Sequence, residues 1–333
     1  GGARRLPRAL RGVIPIRYVE PVFRPPSEAE SLILPVTDGC SWNECTFCEM
    51  YTAPQKKFRA RDEAEVLESI RLTGERYGDQ VRRVFLADGD ATVLPTRRLL
   101  DILAAIRTHL PAVRRISSYC LPRNLRKKSQ AEVDELAAAG LSMVYVGAES
   151  GDDRVLAAVD KGETFETTRE ALDKLGAAGI TRSVMILNGL GGKAYSRQHA
   201  ANSARLANAT QPEYLATLVV SFPLGEQRFR TDFPEWEPLS QHELFVETEQ
   251  LLSALELKRT VFRSDHASNW LVLKGTLGAD KALIAEFVRG ITDGSVTDAQ
   301  ISALAMAIFF NGLDADETVA LTLAMRDSGD VLS

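Results

Sequence analysis

Cysteine and long apolar runs are scarce in this sequence of 333 residues. Of its four cysteines, three lie within nine residues, a distribution that makes a poor disulfide framework, favours a metal site and indicates a reducing compartment. No apolar run approaches the roughly 20 residues that span a bilayer, and the Arg-rich start lacks the apolar stretch of a signal peptide. We therefore predict a cytoplasmic protein that has no membrane partner.

Net charge is also small, at −5 for pH 7. An acidic balance of this size gives no global field for holding nucleic acid or an anionic membrane, although the basic stretch at residues 123–128 leaves local nucleic-acid contacts open. With 45% of its residues hydrophobic, the chain is long enough to bury one large core and a smaller appendage.

Between residues 31 and 221, short apolar runs alternate with amphipathic helical stretches. This alternation is typical of repeated β/α units around a parallel sheet, so we predict an α/β fold. The runs are rich in Val, Ile and Leu with little alternation, as expected for strands buried on both faces. Strands are predicted at residues 32–37, 83–88, 115–119, 142–147, 183–187 and 214–221.

The periodic pattern weakens after Ser221, where prolines become frequent. A helix is predicted near residues 241–255, followed by an irregular segment at 262–274. From residue 279 onward the pattern is purely helical. The predicted domains are an N-terminal extension at 1–30, a core at 31–235, a segment that closes the core at 236–278, and a helical module at 279–333.

Three cysteines, Cys40, Cys45 and Cys48, follow the first predicted strand directly. That position is the C-terminal strand edge, where α/β barrels build their sites. Thiolates are the usual ligands of iron–sulfur clusters, and four irons held by three cysteines leave one iron free to bind something else. The alternative is a zinc site completed by Cys120 or a histidine in tetrahedral geometry. No paired Cys-x2-Cys or His-x3-His follows the three cysteines, which favours the iron–sulfur cluster.

The cysteine segment at residues 37–51 resembles the radical S-adenosylmethionine (SAM) superfamily. The resemblance is closest to the branch of Elongator-type, methylthiotransferase and coproporphyrinogen-dehydrogenase-like proteins. Four residues separate Cys40 from Cys45, whereas the superfamily's usual spacing is C-x3-C-x2-C. The resemblance implies an incomplete (β/α)6 barrel of TIM type over roughly residues 32–274, followed by the small helical module.

The same resemblance implies two cofactors, a 4Fe–4S cluster and SAM. The free iron would chelate the amino and carboxylate groups of SAM, and an electron from the cluster would break the S–C5′ bond. The resulting 5′-deoxyadenosyl radical would abstract hydrogen from a substrate that the sequence does not identify. A flavodoxin- or ferredoxin-like electron donor is the implied partner.

Two later segments resemble the superfamily's SAM contacts. The run Asp88, Gly89 and Asp90 resembles the Gly-Gly-Glu motif that binds the SAM amino group, partly through backbone carbonyls. By resemblance, Glu149 would accept hydrogen bonds from the ribose hydroxyls and Lys161 would pair with the methionyl carboxylate, assignments that suit both charges. The alternatives are a polar turn for the first segment, a helix-start acid for Glu149 and a solvated surface position for Lys161.

Four further residues are candidates for the site. Asn188 and the glycines after it resemble the strand end beside adenine, and Phe47 would also lie near adenine, with simple packing as the alternative. Cys120 and His266 are the candidate catalytic residues. Cys120 ends the third predicted strand, but a lone cysteine is also typical of a small buried hydrophobe. His266 lies in a dense polar cluster that we expect to line or cover the site.

The helical module at residues 279–333 resembles a different family, the thymidine phosphorylases, in their N-terminal helical segment. The match covers only the end of the chain, so it does not imply phosphorylase activity. It implies a homodimer interface through these helices. Two alternative functions therefore remain beside the radical SAM enzyme: a nucleoside-linked protein of pyrimidine metabolism related to thymidine phosphorylase, and a zinc-binding protein without catalysis.

Overall fold

The computed structural model describes residues 15–278. The predicted module at 279–333 lies outside the described residues. The chain divides into two compact units whose sequence segments interleave. Unit 1 comprises Gly1–Gly147 and Asp160–Ser183, and unit 2 comprises Ala148–Val159 and Val184–Ser333.

Helices and strands alternate along the described chain, as the sequence pattern predicts. The strands are β1 Leu32–Pro35, β2 Thr37–Asp38, β3 Arg59–Ala60, β4 Arg83–Ala87, β5 Arg115–Tyr119, β6 Leu141–Glu149, β7 Thr181–Asn188, β8 Tyr214–Val219, β9 Thr260–Arg263 and β10 Lys274–Leu277. The helices are α1 Glu63–Tyr77, α2 Thr96–His109, α3 Gln130–Ala139, α4 Asp153–Ala158, α5 Phe165–Ala177, α6 Gly192–Thr210, α7 Gln227–Asp232 and α8 Gln241–Ala254.

In unit 1, strands β1, β4, β5 and β6 lie side by side in that order, and every pair is parallel. All four residues of β1 and four of the five in β4 are buried. Strands buried on both faces need apolar residues at every position, which explains the continuous runs in the sequence. The short strands β2 and β3 form a separate antiparallel pair in which Thr37 faces Ala60.

Helices of unit 1 cover this sheet through apolar stripes. On α2 the buried residues include Leu99, Ile102, Leu103 and Ile106, which fall on one helical face. Neighbouring helices α1 and α2, and α2 and α3, pack against each other. Helix α3 begins with a capping box between Ser129 and Glu132, which satisfies backbone donors that the first turn leaves unpaired.

A buried carboxylate ties the beginning of the described chain to this sheet. Glu28 ends the 3₁₀ helix Pro26–Glu28, and its side chain is fully buried. Its Oε1 accepts hydrogen bonds from Arg115 Nη2 at 2.9 Å, Ser117 Oγ at 2.9 Å and Tyr145 Oη at 2.6 Å. A buried charge is tolerated only with partners of this kind. Part of the predicted N-terminal extension thus packs within unit 1.

In unit 2, β8 pairs with β9 in parallel, and β9 pairs with β10 in antiparallel orientation. Helix α6 packs against α8, which forms where a helix was predicted near residues 241–255. Both β9 and β10 include residues of the segment at 262–274 that the sequence predicted to be irregular. Residues 264–273 contain no helix or strand, so the prediction is confirmed for most of the segment and was wrong only at its two ends. Both strands have only four residues, and β10 contains a single apolar residue, so the sequence signal for them is weak.

The α/β fold class is confirmed by this mostly parallel sheet with helices, and the six predicted strands correspond to β1 and β4 to β8. The domain boundaries stay predictions. Within residues 15–278, no helix combines the length and apolar character needed to cross a membrane.

Candidate functional site

The three clustered cysteines lie in the loop after β2. Cys40, Cys45 and Cys48 are all partly exposed and none forms a disulfide. The backbone N–H of Cys48 donates to the carbonyl of Cys45 at 3.1 Å, so these two cysteines share a tight turn. The loop returns through the 3₁₀ helix Pro54–Lys56.

Their arrangement does not suit a single metal ion. Among residues 15–278, no group of three His, Cys, Asp or Glu side chains could hold one ion. Tetrahedral zinc, with Zn–S near 2.3 Å, needs its sulfurs only about 3.8 Å apart. In a 4Fe–4S cluster each thiolate binds a different iron, so the sulfurs spread more widely. The two kinds of site thus differ in the sulfur–sulfur spacing that they need, and the zinc alternative stays a hypothesis.

Burial affects the acidity of the Cys40 thiol. Desolvation, with a smaller contribution from the nearby Asp90 carboxylate, raises the pKa of Cys40 to about 11. The free thiol is therefore protonated at neutral pH. Because a metal ligand must be a thiolate, occupancy by iron at Cys40 would release a proton.

Asp88 anchors the cysteine loop to the end of β4. Its Oδ2 accepts hydrogen bonds from the Gly39 backbone N–H at 3.1 Å and from Lys56 Nζ at 2.6 Å. Its own backbone N–H donates to Thr37 Oγ1 at 3.0 Å. The other carboxylate oxygen, Oδ1, is buried and has no partner among the described atoms. Oδ2 of Asp88 thus binds residues before and after the cysteines, and Oδ1 is available to a ligand bound at the site.

Gly89 brings β4 and the cysteine loop into backbone contact. Its N–H donates to the carbonyl of Gly39 at 3.0 Å. A Cβ at position 89 would lie 2.7 Å from that carbonyl oxygen and 2.9 Å from the Cα of Cys40. No side chain fits at this distance, so the residue must be glycine.

Asp90 is engaged by the same loop. Its Oδ1 accepts from the Ser41 backbone N–H at 3.0 Å, and its Oδ2 accepts from the Ser41 hydroxyl and from Asn124 Nδ2 at 3.4 Å. Burial raises the pKa of Asp90 to about 6. The side chain therefore positions the residue after Cys40, and its predicted contact with SAM stays a prediction.

Two predicted SAM contacts come together in unit 1. Lys161 is only 5% exposed, and its Nζ lies 5.8 Å from the centroid of the Phe47 ring. This burial is inconsistent with the alternative of a solvated surface lysine. Phe47 lies between Cys45 and Cys48, so the lysine ammonium is held beside the cysteine loop.

Glu149 and Asn188 end strands that contribute to unit 2. Glu149 has φ of 64°, a left-handed conformation that non-glycine residues rarely adopt and that clusters at functional sites. The next residue, Ser150, shares a 2.7 Å hydrogen bond with His199 Nδ1. Asn188 is buried and donates from Nδ2 to Thr248 Oγ1 at 3.0 Å, so helix α8 fixes its side chain.

Unit 2 contains a buried polar network around Glu247 that was not predicted from the sequence. Glu247 Oε1 accepts from the Gly189 N–H at 2.7 Å and lies 3.9 Å from His199 Nε2. Its Oε2 accepts from Ser196 Oγ at 2.5 Å. Through His199 and Glu247 this network connects the residues beside Glu149 with those beside Asn188.

The two candidate catalytic residues differ in their surroundings. Cys120 is 1% exposed, and desolvation raises its pKa to about 12, which agrees with the alternative of a small buried hydrophobe. His266 is partly buried and its Nδ1 hydrogen-bonds Ser268 Oγ at 2.8 Å. Burial lowers the pKa of His266, so the ring is neutral at physiological pH. A catalytic role for His266 stays a prediction.

Parallel β/α units, with three cysteines that form no disulfide in the loop after β2, define an α/β protein with a candidate thiolate site. Residues 34–207, about half of the chain, match the family model described as the Radical SAM superfamily. The chain belongs to the radical SAM superfamily, and the predicted enzyme class is confirmed at that level. Membership implies a 4Fe–4S cluster and SAM as cofactors. The three cysteines without a disulfide, the close approach at Gly89 and the unpartnered Asp88 oxygen fit these groups.

A second family model, the helical bundle domain of the glycosyl transferase family, matches residues 279–329. Thymidine phosphorylase of Burkholderia lata is 68% identical over 53 residues, which are 16% of this chain and 12% of that protein. The enzyme of Mesorhizobium japonicum is 69% identical over 49 residues, 15% of this chain and 11% of that protein. The predicted resemblance is confirmed, and it spans only this small part of the phosphorylases' length.

Among solved structures, coproporphyrinogen III oxidase (HemN) from Escherichia coli, titled a radical SAM enzyme, aligns with a TM-score of 0.50. The alignment covers 67% of this chain and 52% of that chain at 15% sequence identity. Similarity at this level supports the fold, in agreement with the predicted α/β architecture.

Proposed function

We propose that this chain is a radical SAM enzyme in which Cys40, Cys45 and Cys48 hold a 4Fe–4S cluster and SAM binds beside it. When bound, the cluster and SAM supply one-electron cleavage of the S–C5′ bond and hydrogen abstraction from a substrate. The observation that carries the proposal is the loop of three partly exposed cysteines without a disulfide, which Asp88 and Asp90 bind to the end of β4.

Five further residues have separate roles in the proposal. The Gly89 backbone approaches Cys40 and keeps the site free of side chains at this point. The buried ammonium of Lys161 would bind the methionyl carboxylate, and the Glu149 carboxylate would accept hydrogen bonds from the ribose hydroxyls. Asn188, fixed by Thr248, and Phe47 would border adenine. Radical SAM enzymes need an electron donor, for which we propose a flavodoxin- or ferredoxin-like protein in the cytoplasm.

The first test uses the whole protein, reconstituted anaerobically with iron and sulfide. We expect a brown protein with about four irons per chain. With SAM and a strong reductant it should form 5′-deoxyadenosine, measured by liquid chromatography. Zinc in place of iron, or a loaded cluster that yields no 5′-deoxyadenosine, would overturn the proposal.

Lys161→Ala tests the proposed carboxylate contact. A charge-assisted hydrogen bond is worth about 1.5–3 kcal/mol, so we expect the Kd for SAM to rise about ten- to a hundredfold. Iron content should stay unchanged because no cluster ligand is altered. Lys193→Ala is the matched control, since Lys193 is half exposed and its nearest carboxylates lie 3.9 and 4.0 Å away. Equal SAM affinity in wild type and Lys161→Ala would remove Lys161 from the site.

The match at residues 279–329 supports a second proposal for that segment, a homodimer interface through its helices. A link to nucleoside metabolism depends on the same match alone. Removal of residues 279–333 is expected to leave iron content and SAM cleavage intact while it halves the mass found by light scattering. A monomeric full-length protein would exclude the interface.

A further inference from the structure

The cysteine loop contains a structural connection that the superfamily resemblance does not assign. Three of the four residues between Cys40 and Cys45 are tied to other parts of unit 1. Ser41 is bound by Asp90, and Asn43 donates from Nδ2 to the carbonyl of Tyr51 at 3.1 Å. Between them, the indole Nε1 of Trp42 donates to the carbonyl of Asp160 at 2.8 Å. The longer C-x4-C spacing therefore produces an anchored loop.

The guanidinium of Arg123 stacks on the indole ring of Trp42. Its guanidinium carbon lies 3.6 Å from the centroid of the Trp42 ring, a close cation–π contact. Its Nη2 donates to the carbonyl of Gly162 at 2.6 Å. Both its Nε and its backbone N–H donate to Glu163 Oε1 at 3.0 Å. A planar guanidinium makes such contacts simultaneously, and a lysine at this position would not.

The turn held by these two side chains contains Lys161. Asp160 and Gly162 both adopt left-handed conformations, with φ of 47° and 67°. Non-glycine residues seldom adopt this conformation, although aspartate does so more often than most, and here Trp42 and Arg123 bind the carbonyls on either side of Lys161. A Cβ at position 162 would lie 2.2 Å from Arg123 Nη2 and 2.5 Å from Cζ2 of Trp42. Glycine is therefore required for the indole and guanidinium to close on the turn.

We propose that Trp42 and Arg123 are positioning residues that hold the turn at residues 160–162, so that the ammonium of Lys161 stays beside Phe47 and ready for the SAM carboxylate. This inference rests on the proposed function. Neither residue needs to contact SAM. A lysine side chain loses conformational entropy when its ammonium is fixed by a ligand. If the turn that contains Lys161 is already ordered before SAM binds, less entropy is lost on binding and the affinity is higher.

Trp42→Phe is the sharpest test, because it retains an aromatic ring for Arg123 while it removes the N–H that binds Asp160 and the second ring of the indole. Loss of one such hydrogen bond and part of the stacking area predicts a SAM Kd about three- to tenfold higher, at unchanged iron content. Arg123→Lys should have a similar effect. Trp270→Phe is the matched control, since Trp270 is 64% exposed. Binding is measured by equilibrium dialysis, and by the SAM concentration that alters the electron paramagnetic resonance signal of the reduced cluster.

A double-mutant cycle separates positioning from general stability. In a Lys161→Ala background, Trp42→Phe should weaken SAM binding no further, because the group it positions has been removed. Additive losses in the two backgrounds, unchanged affinity in Trp42→Phe, or loss of iron from that variant would each overturn the proposal. Wild-type protein that holds iron but does not bind SAM would instead overturn the proposed function, before any variant is compared.

Discussion

Replacing Cys45 with Ala is expected to remove the cluster and abolish formation of 5′-deoxyadenosine. Three thiolates already serve four irons, so the loss of one leaves two irons without a protein ligand. No other thiol is placed to substitute, since Cys120 is buried with 1% of its surface exposed and no fifth cysteine occurs in the sequence. Iron should fall from about four per chain to near zero after anaerobic reconstitution and desalting.

Matched variants make this result specific. Cys40→Ala and Cys48→Ala should behave as Cys45→Ala does, whereas Cys120→Ala should retain its iron. Circular dichroism of the apo proteins should coincide for the variants of Cys40, Cys45 and Cys48, because partly exposed thiols contribute little to the core. Retention of iron by Cys45→Ala would show that the ligand set is misassigned.

Lys56→Met is expected to have the largest effect on stability. The ammonium of Lys56 and the carboxylate of Asp88 pair at 2.6 Å, with side chains only 1% and 4% exposed. Removal of one partner of a buried ion pair leaves the other charge uncompensated and typically reduces stability by about 3–5 kcal/mol. Methionine has a similar volume, so little of the loss would come from a cavity. Urea denaturation of the apo protein at pH 7 measures the change.

The loss of stability in Lys56→Met should be larger at high pH than at low pH. Without the ammonium, desolvation raises the pKa of the buried Asp88 carboxyl above its unfolded value, and burial raises it even in the wild type. A carboxyl group whose pKa is higher in the folded than in the unfolded state lowers the free energy of unfolding at high pH. This effect disappears at low pH, where the carboxyl is protonated in both the folded and the unfolded state. The difference between Lys56→Met and wild type should therefore shrink as pH falls through the range of carboxyl titration.

Arg71→Ala is the control for removal of a cation. Arg71 pairs with Glu68 and Glu75 on the exposed face of α1, and pairs of this kind are worth at most about 1 kcal/mol. Adding Asp88→Asn to Lys56→Met should recover part of the stability, since the amide carries no charge. A loss below about 1 kcal/mol in Lys56→Met would mean that Asp88 is hydrated or neutral in the folded protein.

Elements with a local signal were predicted well from sequence. Strand β4 is a run of buried apolar residues, and the stripe on α2 repeats at helical spacing, so short windows contain the information. The cysteines were recognisable for the same reason, since their ligand chemistry and spacing lie within nine residues. By contrast, β9 and β10 owe their conformation to pairing with β8 and with each other.

The side-chain contacts of the site could not be predicted from the sequence, because their partners are far apart along the chain. Lys56 precedes Asp88 by 32 residues, and only the return of the cysteine loop to β4 brings them together. Asp90 was recognised as part of a SAM motif, but which neighbour its carboxylate binds depends on the direction of Ser41 in the folded loop. Only one feature of the sequence could have drawn attention to Trp42: it lies between Cys40 and Cys45, where the spacing is one residue longer than usual.

The interleaved segments of unit 1 have a consequence for synthesis on the ribosome. Residues up to Gly147 emerge first, but the unit also requires Asp160–Ser183. At about 5–20 residues per second, the 36 residues from Ala148 to Ser183 take about 2–7 s to be made, and the 16 residues from Ala148 to Glu163 take about 1–3 s. During that interval Arg123 has neither Gly162 nor Glu163 to bind, and the cysteine loop belongs to an incomplete unit. Nascent chains should therefore expose these thiols to oxidants, and iron delivery should follow rather than precede the emergence of Lys161.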